Sequence, residues 1–149
     1  PAVPALPQSE ATSVRIPPEQ YEYSLKMAHA IVKAAAENRG QEIMLLDLTD
    51  QTALFDFFII ASGSSRRQLA AMSSEIDRVL KHDFHELKLS VSGFEESRWI
   101  VLDYGSIVVH LFDEETREFY DLESLWADGK QIDISDIVNA ASAQMTRMP

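Results

Sequence analysis

At 149 residues, 46% of them apolar and none of them cysteine, the chain is long enough for one domain with its own core. It has no means of forming disulfides, thiolate nucleophiles or cysteine-based metal sites, so zinc fingers and thiol enzymes are excluded. Thirteen Lys and Arg against 24 Asp and Glu leave a net charge of −11, which disfavours direct nucleic-acid binding and favours a basic protein partner. No apolar run approaches the ~20 residues of a membrane span, and the N-terminus lacks the basic-then-apolar layout of a secretory signal. The expected compartment is the cytosol, with no membrane partner.

Residues Pro1 to Pro18 hold five prolines among Ala, Ser and Thr without a period and are expected to form a disordered tail. Pro18 suits the start of a helix, in which Leu25, Ala28, Ile31, Val32, Ala35 and Ala36 keep helical spacing until Asn38 and Gly40. Glu42 to Leu48 and Phe55 to Ala61 read as buried strands separated by a polar turn. Ser62-Gly63-Ser64-Ser65 then breaks the second strand and supplies a serine cap to a helix striped by Leu69, Met72, Ile76, Val79 and Leu80. Leu87, Leu89 and Val91 alternate with polar residues as a half-buried strand, and Gly93 to Ser97 turns the chain.

Trp99 to Asp103 and Ile107 to Phe112 form a hairpin across Tyr104-Gly105-Ser106, followed by an acidic, aromatic helical segment ending at Trp126. Ala127 to Ile134 is expected as a loose extension and Ser135 to Pro149 as a weak helix or disorder. The fold class is therefore α/β, a single domain over 19–129 with a mixed five-stranded sheet flanked by helices, and 130–149 as an extension. If the strands around Phe58 and Leu89 lie parallel, the helix between them is a right-handed crossover.

Catalytic chemistry is thinly represented. Gly63-Ser64 at a strand-to-helix junction lacks the spacing of a P-loop or a dinucleotide fold, and ordinary capping accounts for it. A nucleotidyltransferase begins with a similar Gly-Ser junction, but it then needs two carboxylates one residue apart to hold a divalent metal. Asp77 is followed two positions on by Val79, and Asp103 by Gly105, so the pair is missing. His82 and His85 in HDFHE sit near Asp83 and Glu86, a weak metal cluster at a helix end. His110 is either a satisfied core histidine or a surface contact; its spacing admits both. Trp99, Val101 and Asp103 share one strand face, opposite Ile100, Leu102 and Tyr104. Since burying an aspartate without a partner is costly, the Trp99 face is expected to be partly accessible, with the indole as an interface anchor.

The segments Leu46 to Leu69 (LDLTDQTALFDFFIIASGSSRRQL), Trp99 to Gly105, Val108 to Phe112 and Glu118 to Trp126 (EFYDLESLW) together resemble the ribosomal silencing factor, or Iojap-like, family. The resemblance runs from about Tyr21 to Trp126. It implies a nucleotidyltransferase-like fold without the catalytic carboxylate pair, no enzymatic activity, no cofactor and no metal. It further implies binding to the large ribosomal subunit through that subunit's fourteenth protein, which blocks joining of the small subunit and represses translation under nutrient limitation. Organellar relatives suggest large-subunit assembly as the alternative, with residual nucleotidyl transfer a third reading. Trp99, Asp103, Tyr104, His110 and Tyr120, with Ser64, Ser65 and Arg66 at the helix entry, are the expected partner-binding residues, and a homodimer is an expected further partner.

Overall fold

The computed structural model describes residues 16–93 and 98–147. Most of the expected N-terminal tail, and the turn expected after Gly93, lie outside the described residues. Helix α1 (Pro18–Glu37) starts with Pro18 in its first turn, where a missing N–H costs nothing. It ends at Asn38, whose side-chain amide donates back to the Ala34 carbonyl at 2.8 Å. Strands β1 (Gln41–Asp47) and β2 (Phe57–Gly63) pair antiparallel. Helix α2 (Arg66–Phe84) is capped by Ser65, whose Oγ accepts the Gln68 N–H, and ends at a left-handed His85. Strands β3 (Ser90–Ser92), β4 (Trp99–Asp103) and β5 (Ile107–Asp113) follow, then short helices α3 (Glu114–Tyr120) and α4 (Leu122–Leu125). Strand β6 (Lys130–Ile132) and helix α5 (Ser135–Arg147) complete the described chain.

The sheet has six strands in the order β3-β4-β5-β2-β1-β6, one more than the sequence suggests. The extra strand is β6, which pairs antiparallel with β1 through Leu45–Ile132, Leu46–Gln131 and Asp47–Lys130. Three residues carry too little pattern to announce a strand; the pairing exists because β1 has an open edge to fill. Strand β2 runs parallel to β5, with Phe57 opposite Ile107 and Gly63 opposite Asp113. Strand β3 lies two strands further out and pairs only with β4, so α2 links β2 to a non-adjacent strand.

Both faces of the sheet are apolar, but they are covered unequally. On one face α1, α2 and α5 bury Met27, Ile31, Leu69, Met72, Ile76, Leu80, Ile59, Leu102 and Val109 in the larger core. Helix α5, expected from the sequence as a weak helix or disorder, is docked there, packing along α1 with Ala141 buried and Ile137 and Val138 against the core. On the other face Leu46, Leu48, Phe58, Ile60, Trp99, Val101, Phe112 and Leu122 form a smaller core with only α3, α4 and the Trp126 segment for cover. The hairpin between β4 and β5 turns at Gly105, whose φ of +86° suits glycine, and Asp103 Oδ1 accepts the Gly105 N–H at 2.8 Å. Leu87 and Leu89 are not strand residues: they are 65% and 73% exposed before the short β3.

Candidate partner-docking site

The expected contact residues separate into a buried set and a surface set. Trp99 is completely buried, which overturns its reading as an exposed anchor. Its indole stacks on Phe112 at 5.1 Å between ring centres, meets Tyr120 at 4.6 Å, and donates Nε1–H to Nδ1 of His110 at 2.9 Å. The exposure argument fails because α3 begins straight after β5 and folds back over one end of this face. Asp103, four residues further along β4, sits near the other end and remains half-buried with its carboxylate in the Gly105 turn. One strand face is thus sealed at Trp99 and open at Asp103.

His110 is likewise buried, between Phe58 at 4.6 Å and Trp99. Because an indole only donates, His110 Nδ1 carries no proton and the ring is neutral. Desolvation pushes its pKa down to about 3. Of the two readings the spacing admits, the core histidine is the one observed. Tyr104 is also buried, on the opposite face against α2, where its hydroxyl donates to Asp77 at 3.2 Å and burial raises its pKa. Neither residue presents a side chain for direct contact.

Tyr120, Ser64, Ser65 and Arg66 are accessible. Ser64 and Ser65 are engaged locally: Gln68 Oε1 accepts both the N–H and the hydroxyl of Ser64, and Ser65 caps α2. The Gln68 amide then donates to the Asn38 and Arg39 carbonyls, tying the start of α2 to the end of α1. His82 lies beside Asp83 at 3.2 Å and His85 caps a helix; among the described residues no group of three or more His, Asp and Glu could hold a metal ion.

What the open part of the smaller face does present is apolar. Met44, Phe55, Val108, Tyr120 and Trp126 are each half-buried over the smaller core, and Phe55 meets Trp126 edge-on at 5.8 Å. Leu54 and Leu125, their chain neighbours, are exposed. Cross-strand pairing places Val108 beside Asp103, which is in turn opposite Ser90. The segments next to these residues in the chain are rich in carboxylates: Glu114, Glu115, Glu118, Asp121 and Glu123 on and between α3 and α4, Asp50 and Asp56 before β2, and Asp128 after Trp126. Burial and then the nearby Asp47 raise the pKa of Asp56.

Three supports of the sheet escaped the sequence reading, two on this face and the third, Asp47, on the opposite one. Arg117 of α3 is buried, donates to Ser62 Oγ of β2 at 2.8 Å and pairs with Glu123 at 3.3 Å, pinning α3 and α4 to the sheet. Phe55 and Trp126 close over Phe58 from two distant loops. Asp47 accepts from Tyr21 at 2.7 Å and from the Thr49 N–H and hydroxyl at 2.9 and 2.6 Å, with the Tyr21 pKa pushed up to about 12 by burial and by that carboxylate. The segment Asp113 to Glu123 contains the signal for Arg117 only as a single basic residue among six acids.

A family model described as ribosomal silencing factor during starvation (RsfS) matches residues 21–148. The chain belongs to the RsfS family. The match continues through α5, past the Trp126 boundary of the motifs. The ribosomal silencing factor RsfS of Bacillus subtilis is 34% identical over 110 residues, 74% of this chain and 90% of that protein. A mouse protein named for mitochondrial assembly of the ribosomal large subunit is 32% identical over 102 residues, 64% of this chain and 43% of the mouse protein. A crystal structure of a Chromobacterium violaceum protein superposes with a TM-score of 0.66 at 30% identity, covering 69% of this chain and 85% of that one. RsfS relatives are thus named as regulators of the ribosome, and this chain shares their α/β fold. Among the described residues, no helix is long and apolar enough to cross a membrane.

Proposed function

We propose that this RsfS-family chain is a non-enzymatic silencing factor. It docks on the large ribosomal subunit through the subunit's fourteenth protein and blocks joining of the small subunit, repressing translation when nutrients are scarce. The observation that carries this reading is the half-open sheet face, an apolar centre of Met44, Phe55, Val108 and Trp126 on a chain of net charge −11. An apolar patch suits the centre of a specific interface, and the acidic excess of the chain attracts a basic ribosomal protein. About 1,200–2,000 Å² of total burial is enough for a stable contact of this kind. Asp103 and Tyr120 touch the partner directly in this proposal, with Ser64, Ser65 and Arg66 at the outer end of the sheet. Trp99, His110 and Tyr104 hold the surface in place from beneath.

Val108→Arg tests it. The substitution puts a cation at the centre of the patch, on an already half-buried strand position. Retention of the variant by purified large subunits should fall at least about tenfold, equivalent to ~1.4 kcal/mol, while its unfolding curve stays near that of the parent. Undiminished retention would remove this face from the contact. The name of the mouse relative favours a second reading, in which the same docking serves large-subunit assembly. Adding the chain to mature subunits separates the two, since only silencing lowers the yield of joined ribosomes.

A further inference from the structure

A second surface, on the opposite side of the sheet edge, has its own chemistry. Among the described residues, strand β3 is an edge strand that pairs only with β4, and all three of its residues are exposed. Folded proteins usually blunt such an edge with charge or proline. Here it is instead flanked by Leu87 and Leu89 and carries Val91, all three exposed. Val91 is opposite Leu102, so it points to the helical side of the sheet, where it lines a groove of about 700 Å³ against α2.

That groove is basic in a chain of net charge −11. Arg78, Lys81 and Lys88 line it with His82 and His85, against the single carboxylate of Asp77. Asp77 is already occupied by Lys88 at 3.0 Å and by the Tyr104 hydroxyl at 3.2 Å. Lys81 stands off at 4.0 Å with its side chain mostly exposed, and Arg78, equally exposed, is held at the rim by Glu75. Among the described residues, Lys81 therefore carries positive charge that no internal partner fully answers.

We propose that the β3 edge accepts an extended acidic segment of a partner protein as an added strand. The backbone of β3 supplies the ladder. Alternate side chains of the incoming strand project over the groove, where Lys81 and Arg78 meet carboxylates, while its apolar residues cover Leu87 and Leu89. A nucleic-acid backbone would use the cations but leave the strand edge and both leucines uncovered. The proposal is independent of the silencing reading, which concerns the other face.

The experiment titrates the full chain with a capped peptide of alternating Glu and Val, with its Lys and Val counterpart, and with a single-stranded RNA oligonucleotide, following the backbone amides of Ser90 to Ser92 by NMR. The acidic peptide should bind, shift these amides and slow their exchange; the basic peptide should not. Arg78→Glu with Lys81→Glu, both at exposed positions, should weaken the acidic peptide at least about tenfold. Equal binding of the two peptides, or no binding of either, would overturn the proposal. So would displacement of the peptide by RNA, or concentration-dependent pairing of two copies of the chain through Ser90 to Ser92.

Discussion

Trp99 shows how a single residue changes role once its neighbours are known. As a strand residue sharing a face with an aspartate it suggests an exposed anchor; under α3, with Tyr120, Phe112 and His110 around it, it is the centre of the smaller core. Trp99→Ala is therefore expected to cost roughly 3–5 kcal/mol of folding stability, as large aromatic truncations in cores do. A urea midpoint that did not move would show that the indole is not packed as described. His110 adds a pH dependence. Its folded pKa lies near 3 against an ordinary 6.5, so between these values the unfolded chain binds a proton that the folded chain refuses. The His110 contribution is intact above about pH 6.5 and is lost progressively as pH falls toward 3, by about 1 kcal/mol per pH unit. Unfolding curves at pH 7.5 and 5.5 should show this loss in the parent and a smaller one in His110→Gln; identical losses would contradict the buried neutral imidazole.

Elements with a strong internal period could be read directly from the chain. Helix α2 was legible in its stripe from Leu69 to Leu80 and its serine cap, and the β4–β5 hairpin in two apolar runs around Tyr104-Gly105-Ser106. Elements that exist only because something else is nearby were not. Strand β6 needs the open edge of β1, and the docking of α5, a helix already suggested by Ile137, Val138 and Ala141, needs α1 beside it. The same limit applied to the docking site: Asp103, Tyr120 and the Ser64 to Arg66 entry were found with surface exposure, but Val108, Phe55 and Trp126 come together only through the parallel β2–β5 pairing and the fold-back of α3 and α4. The docking of α5 is open to a direct check. Ala141→Asp would bury an unpaired carboxylate between α5 and the core and should destabilise the fold by about 2 kcal/mol or more. A stability unchanged by this substitution would mean that α5 contributes little.

For the whole molecule, the decisive property is an asymmetric covering of one sheet. Three helices cover one face except for the groove between α2 and β3, whereas the other receives two short helices and a loop, so apolar surface remains at its open end. The acidic excess of the chain suits a basic partner and speeds encounter at low salt. Arg117 and Trp99 stiffen the cover from below, so the surface is formed before the partner arrives and little ordering entropy is lost on binding. In the proposed function, a rigid body held by such a face needs no chemistry to silence a ribosome; it needs to occupy the place where the second subunit would sit. The most direct test is sedimentation of purified large and small subunits mixed with and without the chain. Fewer joined ribosomes with the parent, and an undiminished joined peak with Val108→Arg, is the expected result. An undiminished joined peak with the parent, although it remains bound to the large subunit, would contradict steric silencing.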